Sequence, residues 1–361
     1  MPDLERILMG PGPCNPYPQA MEAIARPLLG HLDPEFLVLL DETCEGLRTV
    51  FRTANPRTLP VSGTGSAGME AAFVNTVGPG DTVVVATNGL FGERMCDVAE
   101  RCGATVVRVD AAWGTPIEPD RVLDAARAAK AKLIAAVHAE TSTGVRNDIA
   151  SLGAGKGDAL LLMDCVTSLG GIPVEVDAWG VDIAYSGTQK CLGVPPGLAP
   201  LTMNDAAWER RVPRPQSWYL DLGMIGEYTA GATRKYHHTA PVAMVASLHG
   251  GLGALLGEGL DAAQERHAAC GATLQAGLEK RGLELFAAEG SRLPELTTVR
   301  VPDGVDSAAI RKALLERYSI EIGGGVGPYA ATVWRIGCMG HTARLRNVVL
   351  LLAALDDCLA A

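Results

Sequence analysis

Between Thr58 and about Met203 the chain alternates short apolar runs with stretches of helical spacing. Strands are expected at 82–86, 105–109, 133–137, 159–163 and 181–185, and helices near 65–76, 91–102 and 119–129. Strands separated by helices imply an α/β architecture whose mostly parallel sheet is covered by helices on both faces. Sheets of that kind place ligands at the carboxyl ends of their strands. Residues just after the expected strands therefore draw attention first.

The flanking segments read differently. Met9-Gly10-Pro11-Gly12-Pro13 is too rich in proline and glycine for a regular element, so residues 1–20 form an arm. Asp33-Pro34-Glu35 opens a helix, with Asp33 as its cap and Pro34 at its first position. Residues 204–239 read as a long loop region, and after Pro241 a helical run leads out of the large unit. From about 261 longer helices take over, with short strands at 284–286, 297–301 and 333–336. The expected organisation is an arm (1–20), a large domain (21–255) and a smaller α+β C-terminal domain (256–361).

The net charge of -10 at pH 7 disfavours nucleic acid and anionic membranes as partners. Nine cysteines without a Cys-x-x-Cys pair signal neither zinc nor a redox motif, and suit small buried residues in a reducing compartment. No signal-peptide pattern opens the chain, and no apolar run approaches the roughly 20 residues needed to cross a bilayer. The expectation is a cytoplasmic protein.

Two residues carry most of the chemistry. Lys190 follows an apolar strand and a Ser-Gly-Thr-Gln turn, and Cys191-Leu192-Gly193-Val194 after it is not a solvated sequence. A lone lysine is usually a solvated charge, but an amine in an apolar pocket loses basicity and attacks carbonyls. Asp164 ends Leu160-Leu161-Leu162-Met163, where a carboxylate needs a partner. It could cap a helix beginning at Val166. It could equally keep a pyridine nitrogen protonated while Lys190 holds an aldehyde, the pairing that pyridoxal phosphate requires. Val166 would then lie against the ring.

Other candidates gather around that pair. Ser62-Gly63-Thr64-Gly65-Ser66-Ala67-Gly68 matches Gly-x-Gly-x-x-Gly, yet no acidic residue closes the next strand to hold a ribose, and no Walker lysine is present. A glycine-rich turn opening a helix remains, with Thr64, Gly65 and Ser66 suited to one phosphate. Phe91 between glycines is a candidate for ring stacking, against the commoner core role. Thr141, at a strand end, suits either a helix cap or a phenolic oxygen. Tyr236-His237-His238-Thr239 carries adjacent imidazoles, but neighbouring residues diverge and no third ligand is evident, so no metal is expected. Tyr236 and Thr239 are read as phosphate ligands. Arg335, inside the apolar run Val333-Trp334-Arg335-Ile336-Gly337, suits a substrate carboxylate or a structural ion pair.

Taken together these motifs resemble the class V aminotransferases of the pyridoxal-phosphate fold-type I group, and within it the alanine–glyoxylate and serine–pyruvate branch. The resemblance spans nearly the whole chain. Its most specific pieces are Asp164-Cys165-Val166-Thr167-Ser168-Leu169-Gly170-Gly171, Ser186-Gly187-Thr188-Gln189-Lys190 and Tyr236-His237-His238-Thr239. It implies Lys190 as the Schiff-base lysine, Asp164 as the partner of the ring nitrogen and Gln189 at the phenolic side or phosphate. It also implies Arg335 on the substrate carboxylate, with Gly12 of the arm beside the substrate. Tyr236 and Thr239 would reach in from a second subunit of a homodimer with shared active sites. Phe91 replaces a frequent Trp, and Ser66 a His found in some members. Ureidoglycine–glyoxylate enzymes tend to carry Asn and Gln where this chain has Tyr236 and His31, which argues against that branch.

The expected reaction moves an amino group from a small amino acid, alanine or serine, to a small 2-oxo acid, glyoxylate or pyruvate. Aspartate, ureidoglycine, 2-aminoethylphosphonate or taurine are alternative donors. A cysteine desulfurase or lyase on the same fold would need a mobile thiol, and Cys338 is the candidate. A non-catalytic ligand-binding protein and a dehydrogenase are the remaining rivals.

Overall fold

The apolar runs become the middle of a seven-stranded sheet. The computed structural model describes residues 6–229 and 233–360. In chain order the strands are β1 (Arg57–Ser62), β2 (Thr82–Thr87), β3 (Thr105–Asp110), β4 (Leu133–Val137), β5 (Leu160–Asp164), β6 (Ile183–Tyr185) and β7 (Leu198–Met203). Their spatial order is β1-β7-β6-β5-β4-β2-β3. Only β7 runs against the others. Every residue of β4, β5 and β6 is buried, as a sheet covered on both faces requires. The ends of these three strands stand in one row, with Val137 beside Asp164 and Asp164 beside Tyr185.

The structure differs from the sequence reading in instructive places. Two strands, β1 and β7, went unnoticed because Pro60 and Pro200 interrupt their apolar pattern. The two prolines face each other in register, and both strands are nonetheless buried over most of their length. Asp164 ends β5, as its place after Leu160-Leu161-Leu162-Met163 implies, one residue beyond the expected range of 159–163. Residues 204–239 are not all loop: Asp205–Glu209 and Leu222–Thr229 are helical. The helix Pro34–Phe51 begins as expected, with the Asp33 side chain accepting from the Glu35 N–H.

A second apolar core gathers the C-terminal residues. The helices Leu260–Glu279, Ser307–Tyr318 and Leu345–Ala360 pack against a three-stranded sheet of Leu296–Arg300, Val333–Gly337 and Gly323–Gly324. The expected strand at 284–286 is reduced to a single bridge from Leu285 to Val299. The arm does more than wander. Ile7–Leu8 pairs in parallel with Ile320–Glu321, and Met9 is buried in this second core. The chain then runs past the ends of the large sheet, so residues 11–14 lie between the two cores. Among the described residues no helix is long and apolar enough to cross a membrane.

Candidate active site

Asp164 and Tyr185 close adjacent parallel strands in register, and their side chains meet. The Tyr185 hydroxyl donates to Asp164 Oδ2 at 2.7 Å, and the Val166 N–H donates to Oδ1 at 2.8 Å. The carboxylate is thus neither bare nor a helix cap, since residues 166–168 form a turn. Burial pushes the Asp164 carboxyl up to about 6, and the two donors hold it from rising further. Tyr185 escaped the sequence reading as a site residue. The signal was its place as the last apolar residue before the Ser-Gly-Thr-Gln turn.

The turn after β6 is pinned at both ends. Thr188 Oγ1 donates to the Pro195 carbonyl at 2.6 Å, and the Gly193 N–H donates to the Lys190 carbonyl at 2.9 Å. The arm clamps the same turn: the Cys14 N–H donates to the Gln189 carbonyl at 3.0 Å, and Lys190 Nζ donates to the Pro11 carbonyl. Gly12 has φ of 102°, and a Cβ there would stand 2.5 Å from Lys190 Cδ. The positive φ favours glycine there, and any side chain would have to push the end of the Lys190 side chain aside. Burial lowers the Lys190 pKa to about 8, with the Arg335 guanidinium adding to the effect.

A cavity of about 220 Å³ opens over these groups. Nine residues singled out in the sequence line it: Thr64, Gly65, Ser66, Phe91, Thr141, Asp164, Val166, Gln189 and Lys190. Thr64 to Ser66 stand where β1 gives way to the helix Gly65–Thr76, whose first backbone N–H groups have no carbonyl within the helix to receive them. Gly65 approaches Val166 so closely that a Cβ would meet Val166 Cγ2 at 2.9 Å. Phe91 sits in the first turn of the helix Leu90–Arg101, where the buried Glu140 carboxylate accepts from the Phe91 N–H at 3.1 Å and from the Ser142 hydroxyl at 2.6 Å. Glu140 stands in for the side-chain cap that Gly89 cannot supply. Size alone does not single out this cavity: one of about 590 Å³ lined by Arg57, Trp208 and Arg234 contains no lysine–aspartate pair.

Four sequence candidates lie outside the lining. Gly12 abuts Lys190, as described. Arg335 donates through Nε to the Gly324 carbonyl at 2.7 Å, and its NH1 lies 3.4 Å from the Thr141 carbonyl. Among the described residues no carboxylate comes within ion-pair distance of it, which removes the structural ion pair. Tyr236 and Thr239 are not brought to the cavity of their own chain. Tyr236 is 57% exposed, and the two hydroxyls stand 3.4 Å apart. The adjacent imidazoles diverge: His238 Nε2 meets Ser62 Oγ at 2.7 Å, and His237 Nε2 meets the Tyr219 carbonyl at 3.2 Å. Among the described residues no group of three or more His, Cys, Asp or Glu could hold a metal. Arg94 lines the cavity and was not anticipated, although it stands one helical turn from Phe91.

Pyridoxal phosphate fits these residues on observations made within the chain. Gln189 Oε1 is buried without a hydrogen-bond partner on the cavity wall. The helix Gly65–Thr76 presents free N–H groups to an anion, and a carboxylate and an amine are held at one end of the same space.

Known proteins agree with that chemistry. The family described as aminotransferase class-V matches residues 15–344. The alanine–glyoxylate aminotransferase of Drosophila melanogaster is 39% identical, over 98% of this chain and 92% of its own length. The (S)-ureidoglycine–glyoxylate transaminase of Bacillus subtilis is 36% identical, over 97% of this chain and 90% of its own. The crystal structure of alanine–glyoxylate aminotransferase from Nostoc sp. is similar with a TM-score of 0.95 and 44% identity, covering 99% of this chain and 97% of that one.

Proposed function

The chain belongs to the class V aminotransferases, which depend on pyridoxal phosphate, and from that premise we propose that it moves the amino group of alanine or serine to glyoxylate or pyruvate. The observation that carries the site assignment is the burial of Lys190 and Asp164 on one cavity at the ends of neighbouring elements. Bound pyridoxal phosphate supplies an aldehyde that exchanges amines and a ring that takes up electrons.

The residues of the chain do the rest. Lys190, with its pKa near 8, is uncharged in roughly a tenth of molecules at neutral pH, against fewer than about one in a thousand for an ordinary lysine. Its Nζ takes the proton from the substrate α-carbon and gives one back on the return. Asp164, with a pKa near 6, is mostly ionised at neutral pH and holds the proton of the ring nitrogen. Tyr185 and the Val166 N–H fix the orientation of that carboxylate. Among the residues lining the cavity, Phe91 and Val166 would hold the ring, Thr141 its phenolic oxygen, and Gln189 the phenolic side or the phosphate. Thr64, Gly65 and Ser66 hold the phosphate. Arg335, free of carboxylate partners and oriented by the Gly324 carbonyl, takes the substrate carboxylate beside Gly12.

The exposed Tyr236, with the exposed Trp218 and Tyr219 that pack on His237 and His238 beside it, supports a homodimer in which Tyr236 and Thr239 enter the partner's cavity. The two apolar cores support a large domain and a smaller C-terminal one, with the arm bridging them. Nine free, buried cysteines suit the reducing cytoplasm. Desulfurase chemistry is not favoured: Cys338 is fully buried, and burial pushes its thiol well up. The amino donor stays open to aspartate, ureidoglycine, 2-aminoethylphosphonate or taurine, and a donor-by-acceptor panel decides it.

Lys190→Ala is expected to lower transfer from alanine to glyoxylate on the order of 1000-fold. Borohydride reduction of the wild-type holoenzyme is expected to leave the cofactor on the peptide containing Lys190. Full turnover in the variant, or an adduct on another peptide, would overturn the assignment.

A further inference from the structure

The phosphate end of the cavity is short of positive charge. Thr64, Gly65, Ser66 and Gln189 are neutral, and so are Tyr236 and Thr239. A helix N-terminus contributes about half a charge, against a phosphate monoester that carries close to two negative charges at neutral pH. Among the described residues lining the cavity the cations are Lys190 and Arg94, and Lys190 is committed to the aldehyde.

Arg94 is placed to supply what is missing. It projects from the second turn of the helix Leu90–Arg101, and its NH1 lies 3.3 Å from Ser66 Oγ, at the opening of the helix Gly65–Thr76. Its guanidinium carbon stands 5.0 Å from the centre of the Phe91 ring, so the half-buried side chain lies along the aromatic face. No carboxylate comes within ion-pair distance of it among the described residues, so its charge is not already neutralised. The contact to Ser66 is long for a hydrogen bond between well-matched groups, which leaves the planar fork free to take two phosphate oxygens. We propose that Arg94 is a cofactor-binding residue that supplies the cationic charge for the phosphate, reaching it past Ser66 from the helix that also presents Phe91. The proposal rests on the reading of this cavity as the pyridoxal phosphate site.

The test separates charge on the phosphate from simple support of the cavity wall. Cofactor-free wild type, Arg94→Gln and Arg94→Lys are titrated with pyridoxal phosphate and with pyridoxal, which lacks the phosphate, and the spectral change on binding is followed. Arg94→Gln is expected to weaken pyridoxal phosphate about tenfold, as befits a half-exposed charged contact. Pyridoxal is expected to bind all three proteins alike, and Arg94→Lys to recover part of the lost affinity. Equal losses for both ligands mean that Arg94 only props the wall, and unchanged affinity for pyridoxal phosphate means that it has no role; either overturns the proposal. Wild type that gives no spectral change with either ligand would instead overturn the reading of the cavity itself.

Discussion

Asp164 is 3% exposed and bonded on both oxygens, whereas Tyr236 is 57% exposed and its hydroxyl meets that of Thr239, three positions along the chain. The first belongs to a region finished within one chain. Strand ends, the turn after β6 and the arm close on Lys190 and Asp164 from three sides, and both charged groups there meet fixed partners. The second turns the Tyr236 and Thr239 hydroxyls toward each other, outside the cavity of their own chain, while its two imidazoles are held by Ser62 and the Tyr219 carbonyl. The difference shows how labour is divided: proton-handling groups need burial and fixed partners to shift their pKa values, while phosphate ligands need only donors at the right distance and can come from elsewhere.

That contrast predicts a graded set of effects. The largest is at the buried region. Asp164→Asn keeps the shape but removes the charge opposite the ring nitrogen, and kcat is expected to fall on the order of 100-fold or more with the cofactor still bound. A near-normal kcat would show that the buried carboxylate does not serve the ring.

A smaller effect is expected at the exposed segment. Tyr236→Phe should weaken pyridoxal phosphate several-fold, in line with one lost hydrogen bond of about 1 kcal/mol, and leave kcat with saturating cofactor near normal. The sharper form mixes subunits. A hybrid of Lys190→Ala and Tyr236→Ala chains should contain one cavity with both residues intact, and so bind cofactor more tightly than Tyr236→Ala alone while turning over where Lys190→Ala cannot. A hybrid no better than the sum of its parents would place Tyr236 at its own cavity or at none.

The smallest effect tests the coupling inside the buried region. Asp164 has a folded pKa near 6, above the ordinary value of 3.8. A raised pKa means that its contribution to stability is present below the ordinary value and is lost as pH climbs through about 6. The Tyr185 hydroxyl pulls that pKa down, so Tyr185→Phe should raise it further. The Tm of the cofactor-free variant should then fall more steeply with rising pH across that window than the Tm of wild type. Parallel curves would mean that the hydroxyl contact does not stabilise the charge.

Much of this was legible along the chain. The fully apolar runs at 133–137 and 160–163 announce buried parallel strands, because only a sheet covered on both faces tolerates them. Lys190 and Asp164 stood out because a charge beside such a run demands a partner. β1 and β7 were hidden by prolines, Pro60 on the edge strand and Pro200 facing it in register on the next strand in. Arg94 and Tyr185 were hidden because an arginine in a helix and a tyrosine in a strand are unremarkable until something stands opposite them.

The sequence alone determined the strand–helix alternation, the ends of five of the seven strands to within a residue, and the family whose motifs they match, since periodicity and residue chemistry are local properties. Only the tertiary structure decided which ends share a row, that residues 11–14 close over Lys190, that Glu140 caps the helix bearing Phe91 and Arg94, and that Arg335 meets no carboxylate. Those facts depend on register and on contacts between residues far apart in the chain, and burial sets the two pKa values only once such contacts have excluded water.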